Sequence, residues 1–327
     1  MRIVVTGGTG SLGRALLRRI AELYPRDVGV MFSRDELKQA QVMESLGYPD
    51  NIRPALGDVR DLDRLMVAFR GADVVIHAAA LKRVDAVASH ADETVKTNIL
   101  GTMNVCRAAM ERGVGRVLLI SSDKAVLPTN SYGASKQMAE WVATGFNTYA
   151  VPQGTRISSI RYGNVLGSRG SVVHIWRRAM EAGHPLKLTD PDATRFVITM
   201  DQALEAISEA LETMQGGEIF VPRLPWCYVS DIGVAMGAAS FQVVGLRAGG
   251  EKVNEQLLSD EERTRCSETD RSYVVLPHAR SWGWEREWAL SAPMTIPEYV
   301  SGGQRIPRAQ VGHLAAVIAA VPEEGAF

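Results

Sequence analysis

The sequence predicts an α/β fold in which a parallel β-sheet is covered by helices on both faces. Apolar strand-like runs alternate with helical patterns through the first half of the 327 residues. The runs are apolar throughout, as in RVLLIS (116–121), and lack the polar alternation of a half-exposed strand. A glycine-rich turn joins the first strand to the first helix. Together these features indicate a sheet buried on both faces by crossover helices.

The individual elements follow from local composition and apolar spacing. Strands are predicted at 2–6, 27–32, 52–56, 74–78, 116–121 and 155–162. Helices are predicted at 12–23, 35–46, 62–69, 95–112 and 135–148.

The alternation weakens after residue 166. Helices are still predicted at 172–182 and 200–214, and a short one at 310–320, whereas HPLKLTDPDATRF (184–196) is expected to be rich in loops. A strand at 218–221 would suit an extra position in the first sheet. We therefore expect a nucleotide-binding domain over 1–165, with 200–222 returning to it. A smaller substrate-binding α/β lobe is expected over 166–199 and 223–290, with a C-terminal tail over 291–327.

Bulk composition limits the classes of function. The formal net charge is −1 and the pI about 6.6, so no global electrostatic case exists for nucleic acid. Cys106, Cys227 and Cys266 fit no zinc or CxxC pattern, which predicts reduced thiols and no metal site. MRIVVTGG enters a strand at once, and no run approaches about 18 apolar residues. A cytoplasmic protein without a membrane span is expected.

The segment TGGTGSLG (6–13) is typical of a phosphate-binding turn. Gly7, Gly10 and Gly13 would supply a tight turn, close approach of a pyrophosphate and helix–strand packing. The following helix N-terminus favours anions. The alternative is a merely tight βα turn, but the strand–turn–helix context favours a Rossmann-type dinucleotide site.

The tip of the second strand bears on which dinucleotide binds. An acid here usually accepts the ribose 2′-hydroxyl of NAD, but this chain has Ser33 and Arg34, which suit the 2′-phosphate of NADP. Asp35, near Lys38, keeps NAD open as the less favoured alternative. Asp58 would bind the adenine amino group. The alternative is that Asp58 caps the next helix, but the residue at 61 fits that role better.

The stretch ISSDKAVLPTNSYGASK (120–136) carries most of the predicted chemistry. Tyr132 and Lys136 are spaced i and i+4, on one helix face, where an ammonium would lower the pKa of a phenol. Tyr132 would then act as a general base on an alcohol while hydride leaves. Ser122, at the end of the preceding strand, would hydrogen-bond the same oxygen.

Several blocks together resemble one family. TGGTGSLG, YGASK and Asn98 in VKTNILGT resemble the extended short-chain dehydrogenase/reductases. FSRDELKQ, HAAALKRVDAV, RYGNVLGSRGSVV and GGEIFVPR narrow this to the UDP-N-acetylglucosamine 4,6-dehydratases of polysaccharide biosynthesis, from residue 1 to about 262. Such enzymes oxidise C4, eliminate water across C5 and C6, and return the hydride to C6. The resemblance therefore implies UDP-N-acetylglucosamine as substrate, a tightly bound NADP regenerated in each turnover, and a homo-oligomer.

The resemblance also assigns Asp123 and Lys124. Asp123 would protonate the departing C6 hydroxyl and Lys124 would act at C5. Dehydratases of thymidine-diphosphate-glucose usually carry Asp-Glu here, so Asp-Lys favours the UDP-N-acetylglucosamine group. A solvated loop pair is the alternative, but the carboxyl end of a strand is where such sheets bind ligands. Lys124 with Tyr132 favours inversion at C5.

The resemblance supplies the remaining contacts. For one of them, Lys82, the alternative is a surface lysine that binds neither cofactor nor substrate. LRAGGEK, which carries Arg247 and Glu251, has one residue more than the family segment and no proline. The predicted cofactor contacts are Gly7, Thr9, Gly10, Ser11, Leu12, Gly13, Ser33, Arg34, Asp35, Lys38, Asp58, Val59, Ala78, Ala79, Ala80, Lys82, Asn98, Tyr132, Lys136, Tyr162, Asn164 and Val165. The predicted substrate contacts are Lys82, Asn164, Ser171, Val172, Thr189, Arg195, Arg247 and Glu251.

Other chemically suggestive residues are assigned to packing. His77 lies inside a strand-end run and is expected to be structural, as are Trp226, Trp282, Trp284 and Trp288. Two rival functions remain. A UDP-sugar 4-epimerase has no use for an acid–base pair at 123 and 124, and a silent nucleotide-binding regulator would tend to lose the tyrosine or lysine.

Overall fold

A computed structural model describes residues 1–247, 249–278, 280–284, 287–291 and 297–323, with the backbone alone at 85, 86 and 88. Parts of the predicted lobe and tail therefore lie outside the described residues. The strands are β1 (Arg2–Thr6), β2 (Val28–Ser33), β3 (Ile52–Leu56), β4 (Val74–His77), β5 (Arg116–Ile120), β6 (Arg156–Ile160), β7 (Asn164–Val165), β8 (Leu186–Leu188), β9 (Thr194–Ile198), β10 (Ile219–Pro222), β11 (Trp226–Tyr228), β12 (Phe241–Val243), β13 (Cys266–Glu268) and β14 (Ser272–Val275). The α-helices are α1 (Ser11–Leu23), α2 (Glu36–Ser45), α3 (Leu62–Ala68), α4 (Val84–Ser89), α5 (Ala91–Thr94), α6 (Gly101–Glu111), α7 (Ser131–Ala150), α8 (Val172–Glu181), α9 (Met200–Thr213), α10 (Val229–Ala235), α11 (Asp260–Arg263) and α12 (Val311–Ala319).

One large sheet organises the chain, in the order β13-β14-β10-β6-β5-β4-β1-β2-β3. The strands from β3 to β10 run parallel, and β14 and β13 then add antiparallel. The chain turns back between β1 and β4, which is the position where doubly wound sheets bind ligands. The predicted fold class and the extra strand near 218–221 are confirmed.

Both faces of this sheet are covered, as the uniformly apolar strands predict. Val5 belongs to one apolar cluster with Leu17 and Met31, whereas its neighbour Val4 belongs to a second cluster with Phe69. Successive side chains point to opposite faces of a strand, so each face has its own core. No helix among the described residues is long and apolar enough to cross a membrane.

The segment 184–196 corrects the loop prediction. It contains β8 and the start of β9, because β8 pairs with β12 and β9 pairs with β7 and β11. Those partners are distant in sequence, so local Pro and Asp content concealed them. A third apolar cluster, including Trp176 and Leu186, packs under α12 through Leu314 and Ile318. The division into domains stays a prediction, and β13 and β14 carry the large sheet into 223–290.

Two helices differ from expectation where they approach the sheet edge. The predicted helix 95–112 is a π-helix over Val95–Leu100 followed by α6; such wide turns often occur at functional sites. Helix α7 begins at Ser131, four residues earlier than predicted, because the Asn130 side chain caps it by accepting from Gly133 N at 2.9 Å. Tyr132 therefore lies in the first turn of α7.

Candidate active site

The glycine turn lies at the point where the strand order reverses. Gly7 has φ +69°, and a Cβ there would lie 2.8 Å from the backbone nitrogen of Ala79, beyond β4. Gly10 is the N-cap residue of α1 and has no side chain to satisfy the first helical N–H groups. The turn and the helix N-terminus thus form a cradle of backbone donors that suits a dinucleotide pyrophosphate.

Asn98 ties this cradle to α7. Its side-chain amide accepts from Leu81 N at 2.8 Å and donates to Leu81 O at 2.9 Å and to Ser135 Oγ at 2.9 Å. Asn98 is buried, so the segment after β4 and helix α7 are fixed to each other. The other predicted contacts in this part of the fold are Thr9, Ser11, Leu12 and Gly13 along the turn and α1, Ala78 and Ala80 beside Ala79, and Val59 in the core.

The tip of β2 holds a small network of charges. Arg34 is exposed, and its Nη1 lies 3.7 Å from Oδ2 of Asp58, which also accepts from Arg60 at 2.8 Å. The carboxylate of Asp35 caps α2 and pairs with Lys38 Nζ at 2.6 Å. The Ser33 hydroxyl is buried and accepts from the Gln39 side chain at 3.0 Å.

The surroundings of Tyr132 and Lys136 correct one expectation. Both side chains are buried, and Lys136 Nζ donates to the carbonyl of Ile120, at the end of β5, at 2.6 Å. Burial raises the pKa of Tyr132, opposed by the Lys124 ammonium and a hydrogen bond with Ser122. The predicted lowering of this pKa by Lys136 is therefore wrong here. Burial lowers the pKa of Lys136 itself to about 8.

Ser122, Asp123 and Lys124 form a connected group directly after β5. Ser122 Oγ donates to Oδ1 of Asp123 at 2.8 Å, and Lys124 Nζ lies 3.0 Å from the same oxygen. Asp123 is 1% exposed, and its Oδ2 has no hydrogen-bond partner among the residues that the structure describes. A glycine at 133 is required here, because a Cβ would lie 2.2 Å from the Lys124 carbonyl oxygen. The first turn of α7 thus packs directly on this group.

Glu255 was missed by sequence reasoning. Its Oε1 lies 3.1 Å from Lys124 Nζ, on a segment far along the chain, and no motif marks it. Burial would lower the pKa of Lys124, but Asp123 and Glu255 raise it above its ordinary value, against a smaller opposing effect of Arg195. Lys124 is therefore held as an ammonium between two carboxylates.

Arg195, Arg247 and Glu251 meet beside this group. Glu251 Oε1 accepts from Arg195 Nη2 at 3.0 Å and from Arg247 Nη2 at 2.8 Å. Burial would raise the pKa of Glu251, but Arg247 and Arg195 hold it below its ordinary value. The extra residue in LRAGGEK does not separate these groups. They line one cavity formed by Val84, Lys124, Asn130, Asn164, Arg195, Arg247, Gly250, Glu251, Lys252 and Glu255.

The segment after β7 closes towards the glycine turn through Arg169, which sequence reasoning also missed. Arg169 N donates to Ser11 Oγ at 2.9 Å, its Nη2 donates to Thr9 O at 3.3 Å, and its own carbonyl accepts from Lys82 Nζ at 3.4 Å. Arg169 follows the motif residues of RYGNV, so only the fold reveals its contacts.

The remaining predicted contacts lie near these elements. Asp123 N donates to the carbonyl of the buried Tyr162 at 3.1 Å. Val165 ends β7, Ser171 is the N-cap residue of α8, Val172 is its first residue, and Thr189 follows β8. Ser171, Val172 and Thr189 are outside the described lining of the cavity above.

The residues assigned to packing lie in or against the core. His77 is 1% exposed between the hydroxyls of Thr6 (2.7 Å) and Thr102 (3.1 Å), and burial lowers its pKa to about 3. Trp226 and Trp282 are buried, while Trp284 and Trp288 pack against the core. The three cysteines are free and buried.

Comparison with known proteins identifies the family. Residues 3–277 match the model of the family described as polysaccharide biosynthesis protein. The chain belongs to this family. A UDP-N-acetylglucosamine 4,6-dehydratase (inverting) of Campylobacter jejuni is 38% identical over 89% of this chain and 87% of its own length.

Two further similar proteins are named for different reactions, one an epimerisation and the other a dehydration. A UDP-glucose 4-epimerase of Rickettsia bellii is 35% identical over 84% of this chain and 82% of its own length. The crystal structure of DesIV, a dTDP-glucose 4,6-dehydratase of Streptomyces venezuelae with NAD bound, covers 77% of this chain and 86% of its own, with 25% identity and a TM-score of 0.68. The fold is therefore that of nucleotide-sugar dehydratases and epimerases.

Proposed function

We propose that this protein is a UDP-N-acetylglucosamine 4,6-dehydratase that forms a UDP-4-keto-6-deoxy-N-acetylhexosamine with inversion at C5. The observation that carries the proposal is the group formed by Ser122, Asp123 and Lys124 beside Tyr132. In this group an aspartate and a lysine lie beside Tyr132, at the carboxyl edge where doubly wound sheets bind ligands, which supports an elimination step next to an alcohol oxidation. The 38% identical C. jejuni relative, named for this reaction and for inversion, supports it.

The residues divide between the two halves of the reaction. Tyr132 takes the proton of the C4 hydroxyl, Ser122 hydrogen-bonds the same oxygen, and Lys136 supports Tyr132. A bound nicotinamide cofactor supplies the hydride acceptor and donor. The C4 ketone acidifies the C5 proton, which Lys124 removes while Asp123 protonates the departing C6 hydroxyl. The Oδ2 of the buried Asp123, which has no partner in the described part of the chain, supports this last role.

The substrate diphosphate is assigned to the arginines of the cavity. Arg195 and Arg247 both hold Glu251, so two guanidinium groups are already oriented towards one small volume. Guanidinium groups form strong paired hydrogen bonds to phosphate oxygens. Asn164, from the same cavity lining, supplies an amide for the sugar, with Lys82, Ser171, Val172 and Thr189 as further proposed contacts.

The proposed cofactor is NADP. The glycine turn suits the pyrophosphate of either dinucleotide, because a side chain at Gly7 would fill the space of Ala79. Arg34 is exposed and paired with Asp58 only at 3.7 Å, which supports its reach to a 2′-phosphate, whereas the Asp35 carboxylate caps its own helix and pairs with Lys38 at 2.6 Å. DesIV binds NAD, so the preference needs a direct test.

Arg34→Ala tests the cofactor preference. We expect NADP binding to weaken about 10-fold, the cost of a lost charged hydrogen bond, with NAD binding unchanged. Titration of each dinucleotide by protein fluorescence measures this, and Lys187→Ala, an exposed cation on β8, is the control. If the binding of NADP and of NAD weakens equally, Arg34 does not determine the cofactor preference.

A UDP-sugar 4-epimerase is the second candidate, and the R. bellii relative favours it. An epimerase returns hydride to C4 and needs no acid at C6, so Asp123 and Lys124 count against it. Incubation with UDP-N-acetylglucosamine and mass analysis separates the two reactions. Loss of one water supports the dehydratase, whereas an unchanged mass contradicts it. Proton NMR of the product then fixes the C5 configuration.

A cytoplasmic location and a homo-oligomer complete the proposal. Helix α7 exposes Met138, Trp141 and Tyr149, and α6 exposes Met103, which supports association of copies. Light scattering of the purified protein tests the oligomeric state, and a monomer at all concentrations contradicts it.

A further inference from the structure

Glu255 and Asp123 hold the Lys124 ammonium from two sides. The distances from Lys124 Nζ are 3.0 Å to Asp123 Oδ1 and 3.1 Å to Glu255 Oε1. An ammonium has no lone pair and cannot accept a proton from carbon. If Lys124 is the base at C5, it must first lose a proton, and these two carboxylate oxygens are its ion-pair partners among the described residues.

The two carboxylates differ in how well their charged forms are stabilised. Asp123 Oδ1 accepts from both the Ser122 hydroxyl and Lys124. Glu255 Oε2 has no hydrogen-bond partner among the described residues, and Lys252 Nζ lies 4.0 Å from it. Lys252 instead donates to the carbonyl of Val126 at 2.6 Å. Glu255 is therefore the carboxylate that gains more from taking a proton.

Glu255 is rigidly placed for this exchange. It is 2% exposed, its N–H donates to Ser301 Oγ at 2.8 Å, and Ser301 N returns a hydrogen bond to Glu255 O at 2.8 Å. Ser301 is fixed in turn by Thr194, at the start of β9, at 2.8 Å. A short, fixed contact between donor and acceptor is what proton transfer requires.

We propose that Glu255 is a positioning residue that accepts the Lys124 proton and so converts Lys124 into the free amine that acts at C5. This inference rests on the proposed dehydratase function. The Nζ–H bond breaks and an Oε1–H bond forms, so ammonium and carboxylate become amine and carboxylic acid. The amine lone pair takes the C5 proton, and the electron pair left at C5 expels the C6 hydroxyl. Lys124 passes that proton to Asp123 Oδ1, 3.0 Å away, and Asp123 gives it to the departing hydroxyl and ends as a carboxylate. Glu255 then returns its proton to Lys124.

The surrounding charges are consistent with this direction. Lys124, Asp123, Arg195 and Lys252 face Glu255. Burial raises the pKa of Glu255, Lys124 lowers it and Asp123 raises it, with a raised value as the net result. A carboxylate with a raised pKa is a better proton acceptor than an ordinary one.

The test compares Glu255→Gln, Glu255→Asp and the matched control Glu251→Gln in the full-length protein with UDP-N-acetylglucosamine in deuterated water. We expect Glu255→Gln to form reduced nicotinamide at the wild-type rate in a single turnover but to incorporate deuterium at C5 about 100-fold more slowly. Glu255→Asp restores part of the loss. In Glu255→Gln the exchange recovers as pH rises, because Lys124 has lost one counter-charge.

The control separates proton transfer from substrate binding. Glu251→Gln raises the KM but leaves the ratio of C5 exchange to C4 oxidation unchanged. Wild-type C5 exchange in Glu255→Gln, or equal loss of exchange and oxidation, overturns the role of Glu255. If Glu255→Gln does not fold, Glu255→Asp decides, since it must show slower exchange with unchanged oxidation. A wild-type protein that releases no water overturns the dehydratase function as well.

Discussion

Two lysines on neighbouring elements, Lys136 buried and Lys124 half-buried, respond in opposite ways to the same fold. Lys136, on α7, has its pKa lowered by burial to about 8, while Lys124, just after β5, has its pKa raised. The difference lies in their partners. Lys136 donates to a backbone carbonyl, whereas Lys124 contacts two carboxylates.

Burial lowers the pKa of both amines, but only Lys124 has two carboxylates that reverse this effect, so Lys136 is the amine that titrates nearer neutrality. Glu140 raises the pKa of Lys136 only in part, because its carboxylate is bound by the buried Arg161 at 2.7 Å. An amine near neutrality suits the support of a proton transfer at C4. An amine held as an ammonium needs an internal acceptor before it can act as a base.

The largest expected effect comes from removing each lysine. Lys136→Met should reduce C4 oxidation about 1,000-fold, and every later step with it. Lys124→Met should keep C4 oxidation and reduce water elimination by about the same factor. Rapid-quench mass analysis with absorbance of reduced nicotinamide measures both. Loss of oxidation in both variants would remove the distinction between the two lysines.

The next largest effect is on the pH dependence of the free energy of unfolding, which should differ between the two lysines. An unfolded lysine has a pKa near 10.4, so between about pH 8 and 10.4 the unfolded state binds the Lys136 proton and the folded state does not. The free energy of unfolding of the wild type should therefore rise with pH relative to Lys136→Met, by at most about 1.4 kcal/mol per pH unit.

Lys124→Met provides the contrast in the same experiment. The folded pKa of Lys124 is raised, so its stabilising contribution is fully present below the unfolded pKa and is lost only above it. The difference in unfolding free energy between wild type and Lys124→Met should stay constant from pH 8 to 10. Urea unfolding at several pH values gives both differences, and parallel slopes for the two variants would contradict the assigned pKa directions.

The surroundings of Lys136, the lysine assigned to oxidation, could be predicted from the sequence more completely than those of Lys124, the lysine assigned to elimination. The glycine turn, the strand ends and the i, i+4 spacing of Tyr132 and Lys136 are local signals, and local signals survive in a single sequence. The raised pKa of Tyr132 was missed because burial of a phenol depends on tertiary packing. Glu255 was missed because its partner is distant in sequence. β8 escaped prediction for the same reason.

The smallest expected effect tests whether the segment that carries Glu255, together with Ser301, supports Lys124 but not Lys136. Ser301→Ala removes the hydroxyl that accepts from Glu255 N and contacts Thr194, which costs about 1 kcal/mol of stability. Glu255 then loses its fixed position, so C5 exchange should slow by about threefold to 10-fold while C4 oxidation is unchanged. Thr264→Ala, which removes an exposed hydroxyl bond to the carbonyl of Glu261, is the control. A matching loss of oxidation in Ser301→Ala would mean that the segment supports both lysines, and the contrast between them would then lie in charge alone.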